Sequence, residues 1–236
     1  MELLAERQQK ILQTVVREYI ETAEPVGSNT VRDQMDVEVS PATIRNDMAV
    51  LEQTGYLASP HTSAGRVPTE QAYRYYVQHL LKQASLAEAE LSALRKLWRL
   101  EMEAEHRLKM TAKLIAEQSA EGVFLALGAH SLYYTGLSNL FSQPEFTSNE
   151  LRISMAAVID HLDDKISTLL KNLDDGVVVM VGSDNPLGSD CSIVVTRYSV
   201  PHGPEGVLGV LGPTRMDYDT NVTRLTLVHK MINHHE

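Results

Sequence analysis

Five side chains near position 43 have the chemistry to read a surface of hydrogen-bond donors and acceptors: Ser40, Ala42, Thr43, Arg45 and Asn46. Their spacing predicts one side of a short helix. Ser40 is an N-cap, its hydroxyl able to accept from an otherwise unpaired amide of the first turn. Pro41 follows where a missing N–H costs nothing and a fixed φ suits a helix. Ile44, Met48 and Leu51 fall at i, i+4 and i+7, an apolar stripe facing inward. Gly55 ends the helix. At about 100° per residue, Ala42 and Asn46 point away from the stripe, and Thr43 and Arg45 lie on its flanks. The outer face is small, polar and hydrogen-bonding. That is the shape of a recognition helix.

The residues that follow must position this face. Tyr56–Ser59 and Arg66–Pro68 are short β-type segments around Pro60-His61-Thr62-Ser63-Ala64-Gly65, a spacing that suits a hairpin with a longer loop. Helix then hairpin is the second half of a winged helix-turn-helix, whose helix enters the major groove while the wing lies on the backbone. The same pattern also fits a generic helix-plus-hairpin in an α+β domain.

Other chemistry is sparse. No GxxxxGK[ST] and no GxSxG occurs. Asp160, Asp163 and Asp164 sit at a helix end, as a solvated charge run does. His229, His234 and His235 crowd the C-terminus without cysteine or carboxylate ligands at zinc spacing. Arg215, Asp217 and an exposure-capable Tyr218 follow a strand and turn. They read as loop bracing or a domain contact rather than catalysis. Neither a metal nor a cofactor is expected, and the chain is not read as an enzyme.

The chain's 236 residues are comfortable for two domains, and 43% hydrophobic residues indicate a folded protein. No run approaches the ~20 apolar residues of a membrane span, and the N-terminus does not resemble a signal peptide. The lone Cys191 cannot form an internal disulfide, so it is expected as a buried strand residue in a reducing cytoplasm. The net charge is −10, and residues 1–83 hold eight Lys/Arg against eleven Asp/Glu. Any attraction to nucleic acid must therefore be local, drawn from residues such as Lys10, Arg17, Arg32, Arg45, Arg66, Arg74 and Lys82.

The elements divide three ways. Residues 1–83 contain an amphipathic helix from Glu2 to Glu21, a break at Thr22–Gly27, a short helix capped by Ser28, the Ser40 helix and the hairpin, and a helix opened by Thr69. Ser28, Asn29 and Thr30 at a helix start offer phosphate contacts, or simply cap the helix. Residues 84–119, proline- and glycine-free from Leu86 to Gln118, predict one long connecting helix, or two joined at a small kink. Its stripe Leu97, Leu100, Leu108 and Ile115 suits either a partner chain or the chain's own C-terminal domain. Residues 120–236 predict an α+β sheet domain with five strands: Val123–Leu127, Leu132–Thr135, Val177–Val181, Ser192–Tyr198 and Val207–Leu211. Thr147 with Glu150 starts a helix as a capping box, and a last helix runs from about Asn221 to Asn233.

The segments TAEPVGS (22–28), VSPATIRNDMAVLEQTGYL (39–57), PHTSAGRVPT (60–69) and AYRYYV (72–77) resemble those of the heat-inducible transcription repressor HrcA family. GLSNLFSQPEF (136–146) and GVLGVLGPTRMDY (206–218) resemble that family's second domain. The resemblance implies a winged-helix domain followed by a GAF-like domain, in a cytoplasmic homodimer. It implies binding to double-stranded DNA at an inverted-repeat operator, the CIRCE element of chaperone operons, with release on heat stress and folding assisted by the chaperonin GroEL. Carried over residue by residue, Ser40, Ala42, Thr43, Arg45 and Asn46 face the major groove. Asn46 and Arg45 then suit adenine and guanine edges, respectively. His61, Thr62, Ser63 and Arg66 serve the wing, and Arg74 holds phosphate. Family members are longer, with a dimerising segment before the GLSNLF-like stretch. Here only Ser119 to Thr135 intervenes, so the second domain is abbreviated and the 86–118 helix is expected to supply the dimer interface. A competing reading is a small-molecule-responsive regulator whose C-terminal domain senses a ligand.

Overall fold

The computed structural model describes residues 3–35, 39–61, 64–128, 131–201 and 203–234, with the side chains of 167, 168, 171, 172 and 234 left aside. The chain folds as two compact units, Met1–Lys82 and Gln83–Glu236.

The first unit begins with α1 (Glu6–Thr22), whose apolar stripe buries Ile11, Leu12, Val15 and Val16. Ala23 closes it in the left-handed region at φ 56°. Helix α2 (Ser28–Gln34) takes Gly27, not Ser28, as its cap residue. Helix α3 (Pro41–Gln53) starts as its sequence dictates: the Ser40 hydroxyl accepts from the Thr43 amide at 3.2 Å. Ile44, Met48 and Leu51 are buried on its inner face. Strands β1 (Leu57–Ala58) and β2 (Val67–Pro68) pair antiparallel as the wing. Val26 joins them through reciprocal backbone bonds to Arg66 of 2.9 and 2.8 Å, making the α1–α2 loop a third wing segment. Helix α4 (Glu70–Tyr75) is capped by the Thr69 hydroxyl and continues as a π turn over Tyr76–Leu80. Its tyrosines pack inward: the Tyr75 hydroxyl accepts from the Leu4 amide, and the Tyr76 hydroxyl accepts from Arg17 Nε.

In the second unit the expected connecting helix is two helices, α5 (Glu88–Arg99) and α6 (Ala104–Ser119), parted by the extended stretch Leu100–Glu103. Both belong to this unit rather than to a separate connector. The break is held by Arg107, whose guanidinium donates to the Leu100 and Met102 carbonyls at 2.9 and 3.3 Å. Leu94 of α5 and Leu108, Ala112 and Ile115 of α6 are buried, and the two helices pack on each other. Strands β3 (Gly122–Leu127), β4 (Leu132–Thr135), β5 (Val177–Met180), β6 (Ser192–Ser199) and β7 (Glu205–Gly212) form one antiparallel sheet in the order β4-β3-β7-β6-β5. Helix α6 packs on β3 and β4, and α10 (Tyr218–His234) packs on β6 and β5.

Phe124, Val195, Val207 and Leu211 face the other way, into a core with α7 (Leu137–Ser142), α8 (Asn149–Asp160) and α9 (Leu162–Asn172). Gly209 sits opposite Phe124 in register, and a Cβ there would lie 2.3 Å from the phenyl Cζ. The ring occupies the space that a side chain would need. Cys191 is fully buried just before β6, and burial pushes its thiol up to about 12.

Candidate nucleic-acid interface

The Ser40 cap fixes where α3 begins, and with it which residues face outward. Arg45 and Asn46 are exposed, and neither has a hydrogen-bond or ion-pair partner among the described residues. Ala42 is exposed beside them, and Thr43 is half-buried, its hydroxyl 3.0 Å from that of Ser40. The amphipathic reading of this helix therefore holds at each of these positions.

A cleft of about 540 Å³ brings α2, α3 and the wing together. Gly27, Ser28, Asn29 and Thr30 line it from the start of α2, Arg45 and Met48 from α3, and Ala64, Gly65 and Arg66 from the wing. Residues scattered over some forty positions of sequence thus share one concave surface with an unpaired guanidinium in it. The α2 amides at its edge add the partial positive charge of a helix start.

Arg66 is less available than its position in the wing suggests. Its guanidinium is tied to Glu52 of α3 at 2.9 Å and reaches the Ala64 carbonyl at 3.4 Å. It fastens wing to helix. Arg74 is paired with Glu70 one turn earlier on α4 and does not line the cleft. His61 is exposed at the wing tip, whereas Thr62 and Ser63 lie outside the described residues.

Two supports of this surface are absent from the sequence reading. Asp47 lies on the inner side of α3, 8% exposed, and its carboxylate takes both Arg7 Nε at 2.6 Å and Arg7 Nη2 at 3.1 Å. The bond raises the Arg7 pKa above its ordinary value. A carboxylate three residues after Ile44, on the apolar stripe, was the available signal, because a buried charge requires a partner. Gly65 is the second. A Cβ there would lie 2.5 Å from the Val26 carbonyl carbon and oxygen, so only glycine lets the wing close onto the α1–α2 loop.

The expected dimer stripe fares differently. Leu97, Leu108 and Ile115 are buried within their own unit, at 9%, 1% and 0% exposure, so they are not free to meet a second chain. Leu100, in the break between α5 and α6, is 47% exposed. The α6 part of that stripe packs on the sheet, and α5 packs on α6.

The GPTRMDY loop braces, as its residues suggest, though through other partners. Arg215 pairs with Glu145 and Gln143 rather than with Asp217. Tyr218, expected to be capable of exposure, is fully buried; its hydroxyl donates to the Thr214 carbonyl and lies 2.9 Å from the Ser192 hydroxyl. Beside this loop, Glu121 is 5% exposed and its Oε2 has no hydrogen-bond partner among the described residues. Burial pushes its carboxyl up to about 8, against the opposing pull of Arg215. Among the described residues no group of three or more His, Cys, Asp or Glu could hold a metal ion, and no helix is long and apolar enough to cross a membrane.

Three helices, a wing and an outward polar helix face define a winged helix-turn-helix DNA-binding protein. The family signature described as "Winged helix-turn-helix transcription repressor, HrcA DNA-binding" matches residues 3–81, and that described as "HrcA protein C terminal domain" matches residues 65–222. The chain belongs to the HrcA family. It is 29% identical to the heat-inducible transcription repressor HrcA of Carboxydothermus hydrogenoformans, over 98% of each chain. It is 30% identical to that of Brevibacillus brevis, over 94% of this chain and 95% of the relative. A crystal structure titled only as that of a hypothetical protein shares the fold, with a TM-score of 0.79 at 20% identity over 98% of both chains. The relatives are transcription repressors, a class without enzymatic activity.

Proposed function

We propose that this chain represses heat-shock operons in the cytoplasm by binding, as a homodimer, an inverted-repeat operator of the CIRCE type. In this reading α3 enters the major groove. Arg45 meets a guanine edge and Asn46 an adenine edge, with Ser40, Ala42 and Thr43 in close approach. Ser28, Asn29 and Thr30 hold phosphate at the start of α2, and His61, Thr62, Ser63 and Arg66 place the wing along the backbone. Arg74 takes an outlying phosphate. Operator symmetry then mirrors the twofold of the dimer.

The observation that carries this reading is the shared cleft. An unpaired Arg45, the α2 start and the wing backbone converge there, although the chain as a whole is acidic. In such a chain affinity must rest on a few placed contacts and on pairing of protomers, not on a general positive field. Residues buried in the C-terminal core leave Leu100 as the one member of the expected stripe open to a partner chain. The antiparallel order β4-β3-β7-β6-β5 with helices on both faces supports the GAF-like reading of the second unit. In this reading heat releases the operator when GroEL no longer assists the repressor's folding.

Fluorescence anisotropy of the purified chain on a CIRCE-type palindrome and on a scrambled duplex of equal length tests the reading, with sedimentation run alongside. Tight binding to the palindrome alone, by a dimer, is expected. Equal affinity for both duplexes would end it.

A further inference from the structure

A second charged cleft lies in the C-terminal unit, where α5, the start of α6 and α10 meet. It measures about 450 Å³, within the size range of small-molecule sites. Arg95 and Arg99 of α5, Arg107 of α6 and Lys230 of α10 line it around Trp98, with Leu227 and Met231 on its apolar side. Arg95 and Arg99 also line an adjoining cleft with Lys96, where Glu88 is the carboxylate present.

What sets this cluster apart is that its four cations share one concavity whose lining holds no carboxylate. Lys109, Arg215 and Arg224 of the same unit are matched to Glu105, Glu145 and Glu90. Arg95, Arg99 and Lys230 are exposed and have no hydrogen-bond or ion-pair partner among the described residues. Arg107 adds a fourth positive charge. Its guanidinium is held by the Leu100 and Met102 carbonyls and lies 5.3 Å from the centre of the Trp98 ring, fixed in place with its charge uncompensated. Four like charges around one concavity repel each other and focus a positive potential into it. An anion of several charges would relieve that repulsion.

We propose that this cleft binds a polyphosphate group, either inorganic polyphosphate or the tail of a nucleotide. Arg95 and Arg99 supply paired N–H donors that match phosphate oxygens, and Arg107 and Lys230 add positive charge. The site stands on different residues from the operator surface and does not depend on that reading.

Trp98 is the chain's single tryptophan, so its emission reports directly on the cleft. The whole chain is titrated with sodium tripolyphosphate and with ATP in the absence of magnesium. Adenosine, and sodium chloride at matched ionic strength, serve as controls. A saturable change in emission is expected with tripolyphosphate and ATP and not with the controls. Equal affinities point to the phosphates alone, and tighter ATP binding points to a nucleotide. The double variant Arg95→Gln/Arg99→Gln weakens binding about tenfold, and Lys230→Gln, a milder second variant, about threefold. Lys113→Gln, an exposed cation of α6 outside the cleft, leaves it unchanged. The proposal is overturned by no saturable change, by equal weakening in Lys113→Gln, by a response to adenosine or salt, or by a response to a DNA duplex without one to tripolyphosphate.

Discussion

Arg7 holds the carboxylate of Asp47 with two donors, at 2.6 and 3.1 Å, and so ties α1 to the inner side of the recognition helix. The charge on Asp47 is nearly out of water, while Arg7 is half in it. Losing the partner is therefore worse than losing the pair. Arg7→Ala lowers the melting temperature more than the double variant Arg7→Ala/Asp47→Ala does, and a double-mutant cycle in thermal unfolding reads the difference. Additive effects would show that the pair is not coupled.

Gly65→Ala pushes a methyl into the Val26 carbonyl, 2.5 Å from the ideal Cβ position. Backbone atoms cannot rotate aside as a side-chain tip can, so the wing must lift from the α1–α2 loop. A loss of about 1–3 kcal/mol in stability is expected from overpacking. Operator affinity falls with it, measured by anisotropy at a temperature where the variant is still folded. An unchanged melting curve would contradict the close approach.

Arg45→Ala removes a free guanidinium without disturbing any bond in the fold. Operator binding weakens by about 1–3 kcal/mol and base preference relaxes at one position per half-site. Arg66→Ala behaves differently, because it also unfastens the wing from Glu52. It lowers stability as well as affinity, and Glu52→Gln reproduces the stability part alone. Footprinting and melting curves on the three variants separate the roles.

Glu121 makes stability depend on pH. Its carboxyl titrates near 8 in the fold and near 4.5 when the chain is unfolded. Below about pH 4.5 it is protonated in both states and has no effect. Between there and about pH 8 only the folded state keeps the proton, so stability falls as pH rises, and above that the loss is complete. Glu121→Gln removes this slope and gives a more stable protein at pH 8 than the parent. Denaturant unfolding at pH 5, 6.5 and 8 measures it, and parallel curves for parent and variant would refute the assignment.

The sequence alone determined what depends on neighbours a few residues away. Ser40, Pro41 and Gly55 fix the limits of α3 through its end amides and carbonyls, and the Ile44–Met48–Leu51 stripe fixes which side faces out. The sheet strands were legible for the same reason, each being a short apolar run between turn residues. Tertiary structure decided the rest. The stripe Leu97, Leu108 and Ile115 has a spacing equally suited to a partner helix or to a sheet, and only the break at Leu100, held by Arg107, turns it onto the chain's own core. Tyr218 and Asp47 are polar enough for a surface and are buried because Ser192 and Arg7 arrive from distant segments to satisfy them. Arg66 is a wing residue by position and a brace by partner. Periodicity specifies a face, but what covers that face is set by contacts between residues far apart in sequence, whose energies no local pattern encodes.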